Sequence, residues 1–163
     1  MPPGATLARG DIQERDFMMK RIVLAAAVVA LGVTAVAAQS DPIAARKAVM
    51  KENGAQAKVS RDMIEGKEPF NLAAAQKVLT TFAATADKMK PLFPDNSKAG
   101  DTAALPAVWE NKADFDAKMV KFSADAKAAE PKVKDLDTFK AAMGDVGKNC
   151  GGCHNTYRKK PTT

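Results

Sequence analysis

Five residues near the C-terminal end, Cys150-Gly151-Gly152-Cys153-His154, set two thiols and an imidazole at fixed spacing, and they hold both cysteines and the single histidine of the 163-residue chain. On a helix, residues three apart share a face and the next residue lies beside them, so all three groups address one object from one side. This is the C-x-x-C-H haem attachment sequence, in which each thiol adds across one porphyrin vinyl group and the histidine binds the iron. The intervening glycines let a macrocycle come close to the backbone. Other readings of the two thiols carry less. A zinc site lacks further Cys or His ligands. A thioredoxin-like pair belongs beside a βαβ pattern, and the chain shows none. A disulfide suits an oxidising compartment but accounts for neither the histidine nor an inward placement.

Positioning that motif requires a helix, and the apolar spacing supplies four. Asp41-Pro42 reads as a cap followed by proline at the first helical position, opening a helix over about 42–65 with Ile43, Met50, Ala57 and Ile64 in line. Gly66 and Pro69 close it. Asn71 caps a second helix carrying Leu72, Ala75, Leu79, Phe82, Ala86 and Met89 up to Pro91. Pro91 to Leu105 lacks periodicity and reads as a long loop across one end of the molecule. A third helix starts near Pro106 and runs to Pro131 with Val108, Phe115, Met119, Phe122, Ala126 and Ala129 on one face. The fourth begins at Asp135 to Asp137 and places Leu136, Phe139, Met143, Val146, Cys150, Cys153 and Tyr157 on a single buried stripe. Four amphipathic helices with one long and two short connections predict an all-α fold, an antiparallel four-helix bundle.

Ahead of these elements, Lys20-Arg21 precede the uncharged apolar run Ile22 to Val33 and the small residues Thr34 to Ala38, the order of a secretory signal peptide. The mixed charges of residues 1–17 do not belong in such a signal, so the expected start is Met18 or Met19. Cleavage is expected after Ala37 or Ala38, leaving 39–163 as one domain in the periplasm. A retained anchor is the alternative, since Ile22 to Ser40 approaches the roughly 20 residues that span a bilayer.

The composition is helix-friendly and strand-poor, with 6% aromatic residues. A formal charge of +6 changes little when 1–38 are removed, and two haem propionates offset part of it, so no nucleic-acid partner is implied. The lysines read as solvated helix faces with some value for steering an acidic partner. Arg46 lies one turn before Met50, where its guanidinium either pairs with a haem propionate or is solvated. Gly54, one turn after Met50, indicates close approach of haem or of a neighbouring helix. Arg158, Lys159 and Lys160 complement a helix C-terminus. Tyr157, Trp109 and the phenylalanines read as core.

An exported chain of four helices with Cys-Gly-Gly-Cys-His-Asn-Thr-Tyr-Arg near its C-terminus resembles the class II cytochromes c, the cytochrome c-prime family. The resemblance spans 39–160 and includes Leu92-Phe93-Pro94-Asp95, Trp109 and Phe139-Lys140-Ala141-Ala142-Met143. It implies one covalent haem c on Cys150 and Cys153, with His154 as an iron ligand. It also implies two branches. In the high-spin branch the face opposite His is an apolar pocket open to nitric oxide or carbon monoxide; in the low-spin branch a first-helix Met ligates the iron. The segment Arg46 to Gly54, with Met50, resembles the low-spin version. Met63 lies off the first stripe, Met89 and Met119 fit the second and third, and Met143 shares a helix with His154, which leaves Met50. The expectation is therefore a periplasmic one-electron carrier, not an enzyme, with His154 and Met50 as iron ligands and Arg46 near the haem. It exchanges electrons with redox partner proteins of the periplasm, has no stable membrane insertion once the signal is removed, and is a monomer or homodimer. An open five-coordinate gas site is the alternative.

Overall fold

The computed structural model describes residues 41–160. The expected upstream extension, signal peptide and cleavage point, and the anchor alternative, fall outside the described residues. Helix α1 (Pro42–Ile64) opens as the sequence predicts: the Asp41 carboxylate accepts from the Ile43 N–H at 2.8 Å, with proline at the start of the helix. It ends at Gly66, whose φ of +73° is the left-handed turn that favours glycine. Helix α2 (Leu72–Met89) is capped by Asn71, whose side chain accepts from the Ala74 N–H at 2.9 Å. Pro91 does not stop the chain abruptly; Lys90–Leu92 tighten into a 3-10 turn, and Glu130–Lys132, with Pro131, do the same later.

The two later helices are each broken where one was expected. The third is a short α3 (Ala107–Glu110) and a long α4 (Lys112–Ala129), separated at Asn111, whose φ/ψ of −120°/47° leaves the helical region. The fourth is α5 (Leu136–Val146) and α6 (Lys148–Tyr157), meeting at Gly147. The Asp135 carboxylate and the Thr138 side chain form a reciprocal capping box at the start of α5. The long loop contains a second 3-10 turn at Asp95–Ser97, and it pairs with the chain leaving α6 through an isolated antiparallel bridge, Ala104 with Arg158. The Lys159 N–H donates to the Ala103 carbonyl at 2.8 Å and the Leu105 N–H to the Tyr157 carbonyl at 2.9 Å.

Arg46 at the start of α1 bonds Leu92 just past the end of α2, and Phe115 at the start of α4 stacks on Tyr157 at the end of α6, so each pair runs antiparallel. The fold is the all-α four-helix bundle the sequence predicts. Its interior falls into two clusters. One joins Met63, Val78, Leu79, Phe82, Phe122, Phe139 and Val146 with small alanines. The other is smaller: Met89, Val108, Phe115, Met119 and Tyr157. Met63, expected off the apolar line, is buried, whereas Ile43, Met50 and Ala57 are only half-buried. The reason is that the heptad line of α1 faces a cavity, and the face turned to the core is offset from it.

Candidate functional site

Gly147 sets the direction of α6. A Cβ at this residue would stand 2.7 Å from the Met143 carbonyl oxygen, so only glycine permits this junction without displacement of backbone. Beyond it, α6 carries Cys150, Cys153 and His154 along one wall of a cavity of about 730 Å³. Cys150 is exposed and Cys153 half-buried, so the motif lies at the mouth of the cavity and not on a sealed stripe as the spacing suggested. The two sulfurs are not bonded to each other.

Another part of the wall comes from α1, through Ile43, Met50, Asn53, Gly54 and Ala57. Phe82, Ala86 and Met89 of α2 and Phe115, Met119 and Phe122 of α4 close the interior. Every member of the smaller core cluster lines this space, so that cluster is the cavity wall. The methionines divide clearly. Met50, Met89 and Met119 reach the cavity; Met63 and Met143 pack in the other cluster. Stripe reading assigned Met89 and Met119 to core; it could not show that their core is this wall. Gly54 has nothing within 4 Å of an added Cβ, which removes helix packing as its explanation and leaves its place on the cavity lining.

Arg46 is neither solvated nor free. It is 6% exposed. Its Nη1 donates to the Leu92 carbonyl and Ser97 Oγ, each at 2.8 Å, and its Nη2 to the Ser97 carbonyl at 3.2 Å and Thr102 Oγ1 at 3.0 Å. The guanidinium lies 4.6 Å from the Phe93 ring centre and 5.9 Å from that of Trp109. Those bonds use all four terminal N–H groups, so a carboxylate could be met only through Nε–H and not by the bidentate fork. Lys47, Lys51 and Arg158 are exposed on the cavity lining; the Lys47 ammonium is paired with Asp101, which leaves Lys51 and Arg158 as a cationic rim. The sequence signal for Lys47 and Lys51 was present: Lys47, Met50, Lys51 and Gly54 recur at helical spacing on one face.

Burial shapes the site's chemistry. It holds His154 below the ordinary imidazole value, with the positive charge of Arg158 adding to the effect, so the ring is neutral at pH 7 and its lone pair is available to a metal. Burial pushes the Cys153 thiol up to about 11 and raises Cys150 as well, so both are thiols and not reactive thiolates. Burial, then the hydrogen bond to Asp114, pushes Tyr157 up to about 12, and its hydroxyl donates to that carboxylate. A space this size lies within the roughly 300–1,000 Å³ of cofactor pockets. Two thiols and an imidazole on one wall, a thioether on another, aromatic and apolar residues between them and positive charge at the rim fit a haem: covalent anchor, axial donors, hydrophobic faces and carboxylate partners. A hydrated metal ion fits poorly, since the walls offer it almost no oxygen donors.

Residues 41–158 match the cytochrome c' family model. Cytochrome c' of Rhodopseudomonas palustris is 43% identical over 144 residues, covering 88% of this chain and 99% of that protein. Cytochrome c-556 of the same organism is 35% identical over 147 residues, covering 87% and 99%. Among solved structures, R. palustris cytochrome c' superposes with a TM-score of 0.73 over 76% of this chain and all of that one, at 43% identity. Oxidised R. palustris cytochrome c556 gives 0.71 over 76% of this chain and 100% of that one, at 34% identity.

Proposed function

The chain belongs to the cytochrome c' family, and on that basis we propose that it is a periplasmic one-electron carrier with a single haem c, attached through Cys150 and Cys153 and ligated by His154 and Met50. The observation that carries this reading is that one cavity is walled by Cys150, Cys153 and His154 from α6 and by Met50 from α1; Met89 and Met119 also reach it, from the buried wall that α2 and α4 supply. When bound, the haem supplies reversible one-electron chemistry at iron. The protein supplies the rest. Cys150 and Cys153 would hold the group by adding each S–H across a vinyl double bond, which would need no oxidant. His154 and Met50 would both offer neutral donors, so the ligand set would not change with protonation near pH 7, and a thioether in the set would raise the potential. Phe82, Phe115 and Phe122 exclude water. Lys51, Arg158 and the Arg46 Nε–H would offer positive charge to the haem carboxylates. The exposed Cys150-Gly151-Gly152 stretch gives partners an edge through which electrons pass. Export directed by the signal peptide within 1–38 would bring the chain to where haem attachment occurs. Among the described residues no helix is long and apolar enough to cross a membrane.

The greater identity to cytochrome c' than to cytochrome c-556 favours a second reading, an open gas-binding iron with Met50 as wall only. Absorption spectra of holoprotein in both redox states decide between them. We expect low-spin spectra with no carbon monoxide adduct, and Met50→Ala to become high-spin and admit carbon monoxide. An unmutated protein that is already high-spin and takes up carbon monoxide sinks the Met50 assignment. Loss of haem to acid-acetone extraction sinks covalent attachment.

A further inference from the structure

We infer that the Asn53 side-chain amide, held in place by Thr85, is a hydrogen-bond donor built into the α1 wall of the haem cavity, where it raises the reduction potential. The inference rests on the haem reading above, but not on which residue fills the sixth position.

Asn53 is a polar side chain in a wall otherwise made at this level of Met50, Ala57, Phe82 and Ala86. It lies three residues after Met50, on the same helix face. Its partner is unusual. Thr85 of α2 is completely buried, and its hydroxyl oxygen lies 2.5 Å from Asn53 Oδ1, 2.8 Å from the Thr81 carbonyl and 3.0 Å from the Phe82 carbonyl. A hydroxyl has one proton to give. Of the three contacts, the one with Asn53 Oδ1 is the shortest, and there Thr85 donates to the amide oxygen, leaving the NH₂ turned away from Thr85. That Nδ2 donates to no residue among those described. A buried residue of the neighbouring helix thus holds the oxygen end of an amide that belongs to a cavity-lining residue, and the NH₂ end has no partner among the described residues.

An N–H dipole aimed at a haem site favours the form carrying one more electron, and hydrogen bonding and local polarity are among the means by which proteins set haem potentials. One neutral hydrogen bond is worth about 0.5–1.5 kcal/mol net. That corresponds to a shift of about twofold to twelvefold in the redox equilibrium, or about 20–65 mV for a one-electron couple.

The test is potentiometry of the holoprotein with Asn53→Leu, Asn53→Asp, Thr85→Val and Thr85→Ser, each checked by absorption spectrum and thermal melting. Asn53→Leu should lower the potential by the amount above and Asn53→Asp by more, because a carboxylate replaces the donor with negative charge. Thr85→Val should fall part of the way, and Thr85→Ser, which keeps the hydroxyl, should retain the parent value. A purely structural role would move the melting temperature and leave the potential alone. An Asn53→Leu potential within twofold of the parent's, in redox equilibrium, overturns the inference, and so does Asn53→Asp matching Asn53→Leu. A Thr85→Val potential equal to the parent's overturns the role given to Thr85. A parent without covalent haem fails the haem reading and this inference together; a parent with haem whose potential ignores Asn53 fails this inference alone.

Discussion

Arg46 has a charge on the first helix, yet its bonding is to a loop about 50 residues away in sequence. The four terminal N–H groups tie Leu92, Ser97 and Thr102, and the flat guanidinium stacks on Phe93, whose ring stands 5.9 Å from Trp109 and 4.6 Å from Phe115. A lysine ammonium cannot serve three bond directions in one plane or stack in the same way. Arg46→Lys, with three donors for four acceptors, should therefore leave at least one of them short and lower stability by about 2 kcal/mol. The check is the urea midpoint of holoprotein. An unchanged midpoint would show that the loop holds itself and that this arginine serves the cavity alone.

At the scale of the element, two glycines in the same arm of the bundle predict opposite outcomes. Gly147 has the Met143 carbonyl oxygen 2.7 Å from where a Cβ would stand, and the obstacle is backbone, which cannot rotate away. Gly147→Ala should cost about 1–3 kcal/mol and turn α6 away from the cavity, so the fraction of chain recovered with haem should fall with stability. Gly144 is exposed within α5 and an added Cβ meets nothing within 4 Å, so Gly144→Ala should stabilise by about 0.5–1 kcal/mol through the higher helix propensity of alanine. Denaturation midpoints moving in the same direction for both variants would contradict the account of the junction.

For the whole molecule, the two clusters differ in what holds them. The larger packs helix against helix and meets the cavity at Phe82, Ala86 and Phe122. The smaller is the wall of the cavity, so its order depends on what occupies the cavity. In a Cys150→Ser/Cys153→Ser double variant, hydrogen exchange should quicken at the start of α1 and through 90–106, while the first half of α2 and α5 stay protected. Uniform loss of protection would mean that the bundle is one cooperative unit. Acid should weaken the fold as a whole. Hydrogen bonds from Lys127 to Asp87, from Lys121 and Asn149 to Asp125, and from the Thr138 backbone to Asp135 hold these carboxyls below their ordinary value of 3.8. A carboxyl depressed in the folded state contributes stability that is fully present above its unfolded value and is lost as the pH falls through the folded one. Urea midpoints should therefore decline from about pH 5 towards about pH 3, and Asp135→Asn, which keeps a cap oxygen, should flatten part of that slope. Stability that is level across that range would refute the carboxylate account.

The sequence by itself determined the helices, their caps and the haem motif, because these depend on residues close together in the chain. Asp41, Asn71 and Asp135 reach N–H groups two or three residues on, and the spacing of Cys150, Cys153 and His154 is a property of one helix. The family was legible for the same reason, in a motif and the order of elements around it. What only the tertiary structure decided involves residues far apart. Met63 is core because α1 turns a face to α2 that periodicity did not select, and Ile43 and Met50 face a cavity that exists only when α1, α2, α4 and α6 come together. Arg46 is buried because a loop without periodicity folds back on it. Asn53 has its meaning from Thr85, on another helix. A local pattern shows which side of a helix is apolar; whether that side meets another helix or an enclosed space is settled by packing, which no single segment encodes.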